Sequence, residues 1–163
     1  MSFILDLLSN RLLVIPIIAW FITQLVKMII HSVVERSFSF SRLFGDGGMP
    51  SAHSATVTSL AVSAGWIYGL ASAEFAITTL LAIIVMKDAV GVRRETGKQA
   101  LVIKQIASAF NAMFLEKDEA VRTEKLKEFV GHTKTQVFFG ALLGAIIAMC
   151  AMLILSTPPH TAV

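Results

Sequence analysis

The chain has 163 residues, of which 55% are hydrophobic and only 15% are charged, with a formal net charge of +3 and a mean hydropathy of +0.73. This length corresponds to a single domain, and the composition is that of a membrane protein, not of an ordinary soluble domain. The single cysteine, Cys150, excludes an intrachain disulfide. We therefore predict one membrane domain over residues 1–163.

The first predicted span covers about residues 12–30, roughly the 20 residues that cross a bilayer core at 1.5 Å per residue. We expect it to be retained, because no small-residue cleavage site of a signal peptide follows it. Lys27 lies near its end, with Gln24 and His31 on the same helical face. A lysine in this position often snorkels to the interface.

Three further spans are predicted. The apolar run from Ala52 to about Ala89 is about twice as long as one span, and a tight turn at "GLASAE" would divide it into helices at about 53–70 and 74–90. The charge-free stretch at about 136–156 is the fourth span. Its Gly140 and Gly144 have the spacing of close helix packing, within a chain or between protomers, which leaves a homodimer open.

The long loop at about 91–131 has a helical apolar pattern followed by a charged stretch. Its apolar residues at helical spacing are Val102, Ile103, Ile106, Phe110, Met113 and Phe114. This pattern is typical of an amphipathic helix that lies on a membrane surface. The predicted fold class is an all-α polytopic membrane bundle of about four transmembrane helices, with this interfacial helix in a long cytoplasmic loop.

The positions of the basic residues predict the orientation. Of the fourteen Lys and Arg residues, only Arg11 lies outside the interval 27–134. With four spans, both loops in that interval lie on one side, which the positive-inside rule makes cytoplasmic. We expect an integral protein of the plasma (inner) membrane of a bacterium, with both termini outside.

A polar cluster stands at the start of the second predicted span, in "GDGGMPSAHSATVTSLAVSAGW", residues 45–66. Gly48 lets the chain turn, and Ser51 is a favoured N-cap. A helix start offers free N–H groups and partial positive charge, which suit an anion such as phosphate. His53 and Ser54 in the first turn would face that anion. The alternative is that Ser51 only caps the helix and His53 only snorkels.

A second histidine, His132, directly precedes the last span in "GHTKTQVFFGALLG". The four-span topology returns it to the membrane face of His53. Two histidines flanked by basic residues suit phosphoryl transfer, one as nucleophile and the other as general acid.

Three blocks, "GGMPSAHSATVTSLA", "VMKDAVGVRRETGKQA" and "LKEFVGHTKTQVFFGALLG", resemble the signatures of the divergent type 2 phosphatidic acid phosphatase family, membrane relatives of the vanadium-dependent haloperoxidases. They occur in the family's order and cover about residues 47–144. The resemblance implies hydrolysis of a phospholipid or polyprenyl phosphate, as a phosphomonoester or pyrophosphate, through a phosphohistidine. It implies no metal or other cofactor and no nucleic-acid partner, and vanadate is expected to inhibit as a phosphate mimic.

The resemblance also implies residue roles. Ser51 and the backbone near Gly48 would bind phosphate, His53 would be the acid and His132 the nucleophile. At the position of the acid that orients the nucleophile stands Gln136. Its amide oxygen can accept a hydrogen bond from the imidazole N–H but cannot stabilise an imidazolium as a carboxylate does, and the analogous loss in a serine protease costs about 10⁴ in rate.

The wider superfamily has an arginine six positions before the nucleophile, and Leu126 stands there in this chain. We predict that Arg93 and Arg94 clamp the phosphate instead, with Lys27 as a further contact. Asp88 would hold one of these arginines, or form a simple interfacial ion pair. The predicted function is a lipid phosphate phosphatase. The alternative, favoured by Gln136, is a catalytically impaired phospholipid-binding or lipid-transport protein of the same fold.

Overall fold

The computed structural model describes residues 2–35, 48–114 and 131–155. Within these ranges the chain forms helices and no strand, so the all-α fold class is confirmed. The helices are α1 (Ser2–Ser9), α2 (Arg11–Glu35), α3 (Ala52–Tyr68), α4 (Ala73–Val90), α5 (Val92–Phe114) and α6 (Lys134–Ile154). The charged stretch predicted after the amphipathic helix lies outside the described residues.

Helix α3 is at the centre of the bundle. It packs against α2, α4 and α6, and its contact with α6 is the most extensive between any two described helices. The residues that it buries are all small: Ala52, Ser54, Ala55, Ser59, Ala61, Ser63 and Ala64. Small side chains allow helix backbones to approach closely, and dispersion and packing then hold the helices together in a lipid environment.

The closest approach in the bundle joins α6 to α3. A Cβ atom on Gly140 would overlap the carbonyl oxygen of Ser51, and one on Gly144 would overlap the carbonyl oxygen of Ala55. The two glycines lie one turn apart on the buried face of α6. The predicted close packing at Gly140 and Gly144 is therefore a contact between two helices of the same chain.

The outer surface of the bundle carries the large apolar side chains. Exposed examples from four helices are Ile18, Phe21, Ile84, Ile106, Phe139 and Ile146. By length and composition, three helical segments can cross a membrane: Arg11–Val34 in α2, Ala73–Asn111, which combines α4 with most of α5, and Lys134–Ile154, which is α6. Helix α3, with 17 residues, is at the short limit of a span. Bulky residues outside and small residues inside are the pattern of a membrane bundle.

Helices α3 and α4 form a tight hairpin. Gly69 caps α3 with φ of 87°, a left-handed conformation that favours glycine, and its N–H donates to the carbonyl of Gly65. The side chain of Ser72 caps α4 and accepts a hydrogen bond of 3.1 Å from the N–H of Phe75. The hairpin brings α4 back to the end of the bundle where α3 begins.

Two helices lie at the edges of the bundle. Helix α5 follows α4 after Gly91 alone and exposes Val102, Ile103, Ile106, Phe110 and Met113, which form the apolar face of the predicted amphipathic helix. Helix α1 was not predicted. Its eight residues are too few for a span, and it exposes Phe3, Ile4, Leu5, Leu7 and Leu8.

Candidate functional site

Three helix ends meet at one end of the bundle. The N–H of Ser51, at the start of α3, donates to the carbonyl of Gln136 in the first turn of α6 at 3.0 Å. The N–H of His132 donates to the carbonyl of Ala89 in the last turn of α4 at 2.9 Å. These two backbone bonds fix the start of α6 against both neighbours and bring the polar segments of the sequence together.

The start of α3 has the predicted cap. Ser51 is the N-cap residue, and its buried hydroxyl oxygen accepts hydrogen bonds from the N–H of Ser54 at 3.4 Å and from the Ser54 hydroxyl at 3.0 Å. Because this oxygen accepts both bonds, its own O–H is left as a donor. The predicted capping role of Ser51 is confirmed, and the hydroxyl hydrogen of Ser51 remains able to donate a hydrogen bond.

The start of α6 fixes the orientation of an imidazole. Thr133 and Gln136 form a capping box, in which the N–H of Thr133 donates to Oε1 of Gln136 at 3.0 Å. The same Oε1 lies 3.2 Å from Nδ1 of His132. The bond from the Thr133 N–H identifies this atom of Gln136 as the amide oxygen, which can only accept. In the neutral His132 ring, Nδ1 therefore carries the hydrogen and donates, and the lone pair is on Nε2.

The two predicted catalytic histidines are neighbours. The ring centroids of His53 and His132 are 6.2 Å apart, and the ring planes are inclined by 56°. His132 is buried, with 4% of its surface exposed, and His53 is half-buried. Residues 79 positions apart in sequence thus place two imidazoles at the same end of the bundle, where α3 and α6 both begin.

Lys27 of α2 lies beside the turn that leads into α3. Its Cδ atom would be 2.9 Å from a Cβ on Gly48, which has a φ of 100°. The lysine is buried, with 5% of its surface exposed. This burial favours a place in the site over the alternative of a side chain extended to the interface. The positive φ favours glycine at position 48, and a Cβ there would also displace the Lys27 side chain.

The remaining predicted residues, Asp88, Arg93 and Arg94, are in the last turn of α4 and the first turn of α5. Asp88 is half-buried and directly precedes Ala89, whose carbonyl binds the His132 backbone. The backbones of Arg93 and Arg94 are in the first turn of α5, and their side chains lie outside the described residues. Their clamping role, and that of Asp88 in holding them, stay predictions.

Two contributors to the site were not predicted. Thr133 caps α6 and shares the Gln136 oxygen with His132, and the signal was present in the sequence as the capping-box spacing Thr-x-x-Gln. The carbonyl of Ala89 had no comparable signal, because any residue type supplies a backbone carbonyl. Within the described ranges, no group of three or more His, Cys, Asp or Glu residues is arranged to hold a metal ion.

The fold and this end of the bundle define an all-α integral membrane protein with paired histidines at its helix starts. The chain belongs to the divergent PAP2 family, whose family model matches residues 8–147, so the resemblance carried by the three sequence blocks is confirmed. It is similar to the uncharacterized membrane protein YuiD of Bacillus subtilis (strain 168), with 39% identity over 151 residues, 89% of this chain and 96% of the relative. No solved structure matches the chain.

Proposed function

We propose that this protein is a membrane-embedded lipid phosphate phosphatase that hydrolyses a phosphomonoester or pyrophosphate without a metal, through a phosphohistidine. The observation that carries the proposal is the 6.2 Å separation of the His53 and His132 rings at the converging helix starts. Membership of the divergent PAP2 family supports it, since that membership suggests a phosphatase-like superfamily.

Binding of the phosphoryl group would use the donors gathered at this end of the bundle. The Ser51 hydroxyl, the Lys27 ammonium and backbone N–H groups near Gly48 would contact its oxygens, together with Arg93 and Arg94. A phosphoryl group is the kind of anionic partner that stabilises a buried ammonium. Donors held in place before the reaction contribute most where charge develops in the transition state.

In the chemical step, Nε2 of His132 attacks phosphorus while the bond from phosphorus to the leaving oxygen breaks. The hydrogen bond from Nδ1 to Gln136, at 3.2 Å, orients the ring for this attack. His53 gives its proton to the leaving oxygen, so that the lipid departs as an alcohol. Water, deprotonated by His53, then attacks the phosphohistidine, which releases inorganic phosphate and restores His132.

The substrate would enter from the leaflet at the cytoplasmic side of the plasma membrane. A phosphatidic acid, a phosphatidylglycerophosphate or a polyprenyl phosphate each presents a phosphoryl group at the level of the helix ends. The apolar face of α5 would lie in the same leaflet, where a headgroup could approach sideways from the bilayer.

The test is phosphate release from these lipids in detergent micelles. We expect His132→Asn, which keeps a polar side chain but cannot form the intermediate, to lower kcat by about 10³ or more, and His53→Asn by about 10² to 10⁴. Thermal unfolding of each variant in detergent controls for loss of fold. Equal turnover by wild type and His132→Asn would remove the nucleophile assignment.

One observation favours a second candidate, a phospholipid-binding or lipid-transport protein of the same fold. The partner of Nδ1 of His132 is an uncharged amide oxygen, which also accepts from the backbone of Thr133. An amide stabilises the imidazolium of a working cycle less than a carboxylate does. This candidate predicts lipid phosphate binding without turnover, and turnover only when a carboxylate stands at position 136.

A further inference from the structure

Gln24 is a buried amide in the middle of a membrane helix. Only 5% of its surface is exposed, and its Oε1 has no hydrogen-bond partner among the described residues. Leaving a buried acceptor unsatisfied costs stability, and polar residues inside a span usually have a functional partner. A bound molecule that donates a hydrogen bond to the amide oxygen of Gln24 would therefore be stabilised, because the described part of the chain supplies no donor.

The packing of α2 on α3 places Gln24 next to the candidate site. At one end of this antiparallel pair Lys27 lies beside Gly48, and towards the other end Ile15 belongs to a cluster that Val62 packs against. Residues between these contacts pair in inverse order. Gln24 precedes Lys27 by three residues on the same face, so it lies about 4.5 Å deeper, level with the first turn of α3.

The chemistry of an amide oxygen limits what it can bind there. The oxygens of an ionised phosphoryl group are also acceptors, so they would repel Oε1 of Gln24 and would be bound by donors such as Lys27 and Ser51. At this depth, towards the hydrocarbon, the alcohol part of a bound lipid phosphate would lie next to Gln24. A hydroxyl on that alcohol, close to the phosphoryl group, can donate to Oε1 of Gln24.

We propose that Gln24 is a specificity-determining residue that accepts a hydrogen bond from a hydroxyl of the lipid alcohol next to the phosphoryl group. The inference rests on the proposed function and names its substrate class. The preferred substrates are phosphomonoesters of glycerol-type alcohols with a free hydroxyl, and polyprenyl phosphates, which have none, are bound more weakly. A site with a buried polar group discriminates against an analogue that leaves the group unpaired.

Two probes that differ in one oxygen test this proposal. They are a 1-acylglycerol 3-phosphate, with its free 2-hydroxyl, and the matched 2-deoxy lipid. Binding is measured by titration in detergent micelles, in a His132→Asn background that prevents turnover. We expect the hydroxyl lipid to bind about tenfold more tightly than the deoxy lipid, and Gln24→Leu to reduce this ratio to about one.

A matched control is provided by the neighbouring residue of α2. Thr23 is fully buried, but its hydroxyl already donates to the carbonyl of Ala19 at 2.6 Å. Thr23→Val removes a buried hydroxyl of the same helix without touching an unsatisfied acceptor. We expect the tenfold ratio to persist in Thr23→Val, and a ratio lost equally in Thr23→Val and Gln24→Leu would overturn the assignment to Gln24.

The remaining outcomes separate the two proposals. If both lipids bind His132→Asn equally well, or if Gln24→Leu keeps the preference, the role of Gln24 is refuted while lipid phosphate binding stands. If neither lipid binds, the proposed function fails and the specificity assignment fails with it. Gln24→Leu replaces an unsatisfied amide by an apolar side chain within a span, so its fold should be retained, which thermal unfolding checks.

Discussion

Two side chains of the candidate site both cap a helix and present a hydrogen-bonding atom to the site. Gln136 closes the capping box of α6, and the same oxygen meets His132. Ser51 caps α3 and still has a hydroxyl proton to donate. A substitution that tests chemistry at these positions must therefore preserve the helix start, or it will report on folding instead.

Gln136→Glu meets this condition, because glutamate at N3 also completes a capping box. The carboxylate would stabilise the imidazolium of His132, and we expect kcat to rise by at least tenfold over wild type. Phosphate release at saturating lipid measures it. Activity found only in Gln136→Glu would favour the binding or transport protein, and a fall in kcat at unchanged thermal stability would contradict the orienting role of position 136.

Lys27→Met tests the phosphate contact, because methionine keeps the apolar length of the side chain and removes its charge. We expect the inhibition constant of orthovanadate to increase by about tenfold or more. Lys134→Met is the matched control, since Lys134 is an exposed lysine at the start of α6, and it should change inhibition little. Equal effects of the two substitutions would show that Lys27 acts only through general charge.

At the scale of helices, α3 and α6 hold the site together through a glycine contact. Gly140 and Gly144 allow the backbone of α6 to touch that of α3, and the bond from Ser51 N–H to the Gln136 carbonyl depends on this approach. Packing and site geometry are therefore coupled at Gly140, which abuts Ser51, and less so at Gly144, which abuts Ala55 one turn deeper.

Alanine at either glycine should force the two helices apart. We expect Gly140→Ala and Gly144→Ala each to lower the free energy of unfolding by about 1–3 kcal/mol, as overpacking does. Gly140→Ala should also lower activity more than Gly144→Ala, because it displaces Ser51. Unfolding in detergent and phosphate release measure both effects. Leu142→Ala, on the exposed face of α6, is the control and should be nearly neutral.

Sequence patterns predicted local features of these helices well and their mutual contacts poorly. The apolar runs indicated an all-α membrane bundle, and the favourable N-cap at Ser51 was readable because capping depends on residues close in sequence. The bond between His132 and the carbonyl of Ala89 joins backbone groups far apart in sequence, and no residue type encodes it. Likewise, the spacing of Gln24 and Lys27 gave their common face, but only the packing of α3 shows that this face is buried.

At the scale of the whole molecule, the orientation in the membrane is open to a direct test. The α3–α4 turn and the start of α5 lie at opposite ends of α4, so exposed residues there report on opposite sides of the membrane. We expect Ala71→Cys to be labelled by an impermeant thiol reagent on intact cells and Gln99→Cys to be protected.

Both cysteines are introduced into a Cys150→Ala background, because Cys150 is the only native cysteine. Labelling of Gln99→Cys after the cells are opened is the control for reactivity. The reverse pattern, with Gln99→Cys labelled on intact cells, would turn the site towards the outside and imply an extracytoplasmic substrate.

The bundle buries small residues and exposes large apolar ones, so the residues that contact lipid are different from those that form the polar end. Large outward residues such as Phe21, Ile84 and Phe139 adapt the protein to its solvent. The polar end, by contrast, is built from helix starts, glycines and short side chains facing inwards. Polar substitutions confined to the lipid-facing surface could therefore make the protein soluble in water while the candidate catalytic side chains stay in place.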